Sequence, residues 1–230
     1  EQTVAVVVPA YNEASQIGRV IDTMPDFVDR IIVVNDHSTD KTEEIVRKHI
    51  SNDKPETIAI DNILNDITPT DYNYPDYLAQ EQMKNEVALF TPASVANNDP
   101  HRSRIILINH HKNKGVGAAI ASGYKWCKDH GIDCTAVMAG DGQMDPAELH
   151  SICAPIVNEG IDYVKGNRLI HSSSWLVIPK ARYLGNSILS ILTKIASGYW
   201  HVSDTQTGYT AISKNALHSI RLDKIGRAHV

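Results

Sequence analysis

The chain is poor in cysteine: Cys127, Cys134 and Cys153 are the only three among 230 residues, and no two form a CxxC pair. So odd and sparse a set excludes a disulfide framework, fits a reducing compartment and predicts three thiols buried as small apolar groups. A basic excess is also missing, with 22 Lys and Arg against 27 Asp and Glu and a formal net charge of -5. Broad nucleic-acid binding, which relies on a basic face, is thereby excluded. A phosphate ligand would have to be met by local donors or a metal, not by a general positive field. No apolar run approaches the roughly 20 residues of a membrane-spanning helix, and no stretch has the pattern of a signal peptide. Repeats and low-complexity tracts are lacking too. What remains, at 42% hydrophobic and 21% charged, is an ordinary globular composition, long enough for one α/β domain or two small ones.

The order of patterns favours a sheet clad with helices. "TVAVVVPAYNE" opens with a β-branched run apolar on both faces, as in a buried parallel strand, stopped by Pro9. Ile17, Val20, Ile21 and Met24 then share one helical stripe, with Asn12 as the expected N-cap and Pro25 as the stop. A second strand, "RIIVVND", precedes Asp40 and Glu43 at capping-box spacing, which predicts a helix from Lys41. Residues 51–104 hold many Asn, Asp and Pro and no sustained period. They read as an insertion on the scaffold, either a lid or partner surface or a solvated inert loop, with a helix expected in "DYLAQEQMKNEVALF". Order resumes with the strand "RIILIN", the turn "HHKNKG" and a helix carrying Val116, Ile120, Gly123 and Cys127 on one side until Gly131. "CTAVMAG" is a fourth strand. Asp145, Pro146 and Glu148 stand at N-cap, N1 and N3 of a helix with Leu149, Ile152, Cys153 and Ile156 inward and Gly160 behind it. "DYVKGN" reads as a fifth strand, and Leu184, Ile188, Ile191, Leu192 and Ile195 form a later helical stripe. Strands alternating with helices over residues 1–170 predict an α/β fold, a mostly parallel twisted sheet with helices on both faces.

Open parallel sheets bind ligands beyond the carboxyl ends of their strands, and the polar clusters fall there. They are residues 9–13, 35–38 and 112–117, the pair Asp141 and Gln143, and residues 166–168. Asp141 stands out, because Gly140 and Gly142 on either side would let a large ligand approach the main chain. A carboxylate with an amide two residues on offers hard oxygens suited to Mg²⁺ or Mn²⁺; a turn aspartate bonding its own backbone is the plain alternative. Asp145 is accounted for by its cap, with metal contact from it a secondary option. Lys114, Gly115 and Gly117 open a helix whose free N–H groups and dipole suit an anion. That turn is no P-loop, and "GVGAAI" has Ile120 where a dinucleotide fingerprint would place its third glycine. Adjacent His110 and His111 point apart on a strand, which speaks against a metal site there. Trp175, Tyr199 and Trp200 could stack on a sugar or rest at a membrane surface, with ordinary packing of amphipathic aromatics the favoured reading.

Six blocks in order, "VVVPAYNEASQIGRVI", "IIVVNDHSTDKT", "NKGVGAAIASGY", "MAGDGQMDP", "VKGNRL" and "SDTQTGYTAISKNAL", resemble the family 2 glycosyltransferases of the GT-A fold. Within that family the likeness is to polyprenyl- or dolichyl-phosphate sugar synthases and cell-surface polysaccharide enzymes. The resemblance implies one GT-A domain over residues 1–230. Residues 1–170 would form its nucleotide-sugar-binding half, interrupted by the insertion 51–104, and residues 171–230 its acceptor-side half, part of a longer polypeptide. Pro9, Ala10, Tyr11 and Glu13 would line the base and ribose pocket, with Asp36 on the base or ribose and Lys114 and Gly115 near the pyrophosphate. Asp141 and Gln143 match the second acid of the family's DxD motif and the amide beyond it, and would hold Mg²⁺ or Mn²⁺. Arg168 would face the donor or acceptor phosphate, and Asp204 and Gln206 would border the acceptor, with Asp204 as general base for a sugar hydroxyl. The implied reaction is an inverting transfer from a nucleotide diphosphate sugar to a lipid phosphate or a saccharide. It would take place in the cytoplasm, at the inner face of a membrane in peripheral association, with self-association among the expectations.

Two departures qualify the likeness. Ala139 replaces the first acid of the DxD motif, and His37 replaces the small residue before Ser38, Thr39 and Asp40. Ala139 keeps open a non-catalytic nucleotide-sugar-binding module, and the "GVG" turn keeps open a nicotinamide-dependent oxidoreductase.

Overall fold

A computed structural model of the chain describes residues 2–53, 60, 70, 72–166 and 208–222. β1 (Val4–Ala10), α1 (Ile17–Asp22), β2 (Arg30–Asn35) and α2 (Thr42–Asn52) come first. They are followed by α3 (Tyr74–Glu86), β3 (Ala93–Val95), β4 (Ile105–His110), α4 (Val116–Asp129), β5 (Cys134–Val137) and α5 (Leu149–Glu159). β6 (Tyr163–Lys165), β7 (Thr210–Ser213) and α6 (Lys214–Ser219) complete the order. One sheet holds all seven strands in the order β3-β4-β2-β1-β5-β7-β6. Its centre, β4-β2-β1-β5, is parallel, whereas β3 runs against β4 and β7 runs against both β5 and β6.

The alternation of side chains along β1 explains the layers. Val4, Val6 and Val8 pack on one side with Ile17, Val20, Val46 and Ile152, from α1, α2 and α5. Ala5 and Val7 face the other way, against Ala119 and Cys127 of α4 and Leu217 of α6. Every residue of β1 is buried, and each such valine withdrawn from water contributes about 1.5–3 kcal/mol. All three cysteines are buried and free, as their scarcity predicts. Among the described residues no helix is long and apolar enough to cross a membrane.

Several local expectations are corrected. β1 continues through Pro9, whose neighbour across the ladder is Val34. Asn12 is not the N-cap of α1; that place belongs to Gln16. Asn12 instead takes a positive φ of 57° and accepts the Thr39 N–H with its side chain. The Asp40–Glu43 box does not form. Asp40 accepts from the N–H and hydroxyl of Thr42, α2 starts at Thr42, and Glu43 turns to Arg47 and Asn109. Val116, placed inward by its spacing, is 64% exposed. The insertion contains the expected helix, α3, but also β3, which pairs antiparallel along β4 and covers that edge. The "DYVKGN" strand lies at the opposite edge, separated from the parallel core by β7, a strand with too little apolar sequence to be foreseen. The Leu184–Ile195 stripe and Trp175, Tyr199 and Trp200 lie outside the described residues.

Asp145 does cap as expected. Its carboxylate accepts the Ala147 N–H at 3.0 Å, and a 3-10 turn (Pro146–Glu148) leads into α5. Asp145→Ala is expected to lower stability by about 1 kcal/mol in denaturant unfolding, with the slope of the transition unchanged.

Candidate active site

The strand order reverses around β1: β2 and β4 lie to one side and β5 to the other, so their carboxyl ends open a crevice. Main-chain bonds set its width. The β1 carbonyls at Ala10 and Pro9 accept from Asp36 at 2.9 Å and Gly140 at 3.2 Å, fixing the tips of β2 and β5 against β1. The loops after β1 and β2 are then laced side chain to backbone. Asn12 donates to Ser38 Oγ, Glu13 to Thr42 Oγ1 and Ala14 to Asp40 Oδ2, each through its N–H. Burial alone would raise the Asp40 carboxyl, but the bonds from Thr42 and Ala14 outweigh it and hold it below its ordinary value.

The result is a cleft of about 450 Å³. The β1 end supplies Pro9, Ala10, Tyr11 and Glu13; the β2 end supplies Asp36; the turn into α4 supplies Asn113 and Gly115; and the β5 end supplies Gly140 and Asp141. Val116, Ala119 and Ala139 complete its wall. Of the predicted residues, Pro9, Ala10, Tyr11, Glu13, Asp36, Gly115 and Asp141 meet there. Lys114 and Gln143 are exposed beside it and not in its wall. Arg168, Asp204 and Gln206 lie outside the described residues. Asn113 and Val116 fall within the predicted 112–117 cluster, though neither was singled out, and Ala119, one turn into α4, carried no signal in the sequence.

The charge of this cleft has one sign. Burial, then the charges of Asp141 and Asp40, push the Glu13 carboxyl above its ordinary value. None of the described residues in the wall is cationic. Asp141 Oδ1 accepts the Gln143 N–H at 3.0 Å, so Asp141 makes the turn bond and also stands on the cleft. Gly142 permits that turn with a φ of 71°. Gly140 lines the cleft and also serves packing: a Cβ there would lie 3.1 Å from the Pro9 carbonyl oxygen and 3.4 Å from Ile17 Cδ1.

The turn into α4 is the second correction. Its N–H groups are not all free for an anion, because Asp36 takes two of them, Lys114 at 3.0 Å and Gly115 at 2.6 Å. Among the described residues no three His, Cys, Asp or Glu side chains cluster as a metal cage. The donor set at Asp141 therefore fits an ion shared with a ligand's own oxygens, the usual arrangement for Mg²⁺ on phosphates.

Comparison with known proteins agrees with this geometry. The model of the family described as Glycosyl transferase family 2 matches residues 5–62 and 91–221, passing over the middle of the insertion. A UDP-N-acetylglucosamine–dolichyl-phosphate N-acetylglucosaminyltransferase of Methanococcus voltae is 28% identical over 218 residues, covering 94% of this chain and 72% of that protein. An undecaprenyl-phosphate mannosyltransferase of Micrococcus luteus is 27% identical over 111 residues, 48% of this chain and 44% of that protein. A solved glucosyl-3-phosphoglycerate synthase of Mycobacterium tuberculosis, in complex with Mn²⁺ and UDP-glucose, superposes with a TM-score of 0.53 at 18% identity. That superposition covers 95% of this chain but only 58% of the synthase.

Proposed function

Because the chain belongs to glycosyl transferase family 2 and has the GT-A fold, we propose that it transfers a sugar from a nucleotide diphosphate sugar to a lipid phosphate. One observation carries the reading: a cleft at the strand tips whose described wall residues include acids and no cation, with Asp141 on its lip. A diphosphate would be repelled from such a cleft unless a divalent ion came with it. An ion such as Mg²⁺ or Mn²⁺, when bound, neutralises the charge that grows on the departing nucleoside diphosphate. Asp141 would hold that ion by its carboxylate together with the donor's oxygens. Tyr11, 48% exposed on the cleft, offers a ring face to the base, and Glu13 an acceptor to the ribose hydroxyls. The turn into α4 presents its helix end, and Lys114 beside it a mobile positive charge, toward the diphosphate.

The acceptor follows the named relatives, both of which act on polyprenyl-type phosphates. Such an acceptor is already anionic and needs no general base, so Arg168 would position it by charge-assisted bonds. Asp204 would serve as base only for a hydroxyl acceptor, and Gln206 would border either. Attack from the face opposite the leaving group would invert the anomeric centre. The cell-envelope role, the cytoplasmic site of action and peripheral membrane contact belong to this proposal. With family membership shown, the defective "GVG" fingerprint gives no support to an oxidoreductase.

A thermal-shift panel tests the donor site. UDP-, GDP-, dTDP- and CDP-sugars are added with and without Mn²⁺. One base is expected to raise the melting temperature by about 5–10 °C at roughly 100 times its Kd, and only with the metal. No shift with any of them would remove the proposal. Transfer to a short-chain polyprenyl phosphate by the same preparation distinguishes an enzyme from a binding module.

A further inference from the structure

The connection from β5 to α5 brings Asp141 to the lip of the cleft, and it is tied down unevenly. At its start Gly140 donates its N–H to the Pro9 carbonyl at 3.2 Å. At its end Asp145 caps the 3-10 turn that leads into α5. Between them the bonds stay inside the connection. Asp141 Oδ1 accepts the Gln143 N–H, and Met144 Sδ accepts the Ala139 N–H at 3.4 Å. Among the described residues, one hydrogen bond reaches residues 141–145 from another part of the fold. The hydroxyl of Tyr209, 64 positions beyond Asp145 in the chain, donates to the Asp145 carbonyl at 2.8 Å.

Tyr209 is itself firmly placed. It is only 4% exposed and shares the core cluster with Ile152 and Cys153 of α5. Its own carbonyl accepts the Gly166 N–H at 2.8 Å, and its neighbour Thr210 pairs with Val137 at the end of β5. A buried phenol keeps its ring in the core and needs a partner for its O–H, and here that partner is the connection bearing Asp141. Charge gives the contact a purpose. Asp141 and Glu13 stand in one cleft and repel, since the charge of Asp141 helps raise the Glu13 carboxyl. That repulsion acts to spread the lip, and the hydroxyl of Tyr209 resists it from behind.

We infer that Tyr209 is a positioning residue for the divalent ion of the proposed function: by holding the Asp145 carbonyl it keeps Asp141 where its carboxylate and the donor's oxygens can share that ion. The inference rests on that reading for its metal readout, but not for its structural one. Groups that orient a metal ligand without touching the metal are worth about 10- to 100-fold in affinity.

Tyr209→Phe removes the hydroxyl and keeps the ring around which the core packs. Hydrogen exchange followed by mass spectrometry over residues 139–148, with no ligand present, reads the brace. Exchange at Gln143, Ala147 and Glu148 is expected to be about fivefold faster than in the wild type. Mn²⁺ binding, followed by electron paramagnetic resonance with UDP, GDP, dTDP or CDP present, reads the site. Tyr209→Phe is expected to weaken it by about tenfold, and 4-aminophenylalanine at position 209, which returns a weaker donor to the same place, to restore most of the loss. In an Asp141→Ala background the Tyr209→Phe change is expected to alter Mn²⁺ affinity by less than about twofold, because it acts through Asp141. A lower melting temperature with Mn²⁺ affinity unchanged would reduce Tyr209 to a packing residue and overturn the inference. A loss that persists in full without Asp141 overturns it too, and unchanged exchange shows that the connection is held by other means. Should Tyr209→Phe not fold, the 4-aminophenylalanine variant is expected to show a smaller loss in the same direction, and no loss in either reading counts against the brace. Wild type that binds no Mn²⁺ with any of the four nucleotides fails the proposed function, while the exchange result still decides whether Tyr209 holds the connection.

Discussion

Asp141→Ala is expected to cut metal-dependent sugar transfer by about 10²- to 10³-fold, with the fold and melting temperature of the free protein little altered. The magnitude is that of removing one preorganised electrostatic partner from a site where charge develops. The expectation is sharper here than for a site with two acids, because Ala139 occupies the place of the other and lines the same cleft. Among the described wall residues at the β5 end, Asp141 is the one carboxylate. Its loss also removes the charge that helps raise the Glu13 carboxyl, so Glu13 should titrate closer to its ordinary range in the variant. The converse substitution, Ala139→Asp, places a second carboxylate on that lip and is expected to tighten Mn²⁺ binding by about tenfold in the presence of nucleotide. Steady-state rates across a Mn²⁺ titration check both. Turnover that survives in Asp141→Ala with an unchanged metal requirement would dislodge the carboxylate from its role.

Gly123→Val is expected to destabilise the chain by about 3 kcal/mol, or prevent folding altogether. Gly123 lies on the face of α4 that crosses β1. A Cβ built there falls inside the van der Waals envelope of Val7 Cγ1 and 2.9 Å from Cγ2. Val7 is wholly buried in the centre of the sheet and has no room to withdraw, and a close-packed interior relaxes little. The partner substitution makes the test specific. Val7→Ala alone opens a cavity, yet combined with Gly123→Ala it should recover part of the loss, a coupling visible in a double-mutant cycle of denaturant midpoints. Strict additivity of the two would show that the helix does not sit this close to the strand. The consequence reaches function: α4 carries Val116 and Ala119 to the cleft wall, so its distance from β1 also sets the cleft's depth.

Much of this architecture could be read in advance because its signals are local. A strand buried on both faces must be apolar throughout, so β1, β2 and β4 announced themselves, and so did their polar tips. Asp145 and Pro146 declared the start of α5 by cap chemistry confined to four residues. β3 and β7 escaped because they are short and lean on neighbours distant in the chain; their strand character comes from the ladder they join. The capping roles of Asn12 and of the Asp40–Glu43 pair failed for a related reason. In both places a long-range partner, Thr39 in one case and Asn109 in the other, competed with the helix end and won.

The order of residues by itself determined the alternation of strands and helices, the burial of the cysteines and the rim on which polar groups gather. Those depend on side-chain type and period alone. Which of the rim residues share one cleft, that Asp36 turns inward to hold a backbone turn while Asp141 stays on the lip, and that Gly123 must lack a side chain, were decided only by the tertiary structure. The reason is that they hinge on strand order and on distances of a few ångströms between segments up to about 130 residues apart, which no local pattern encodes.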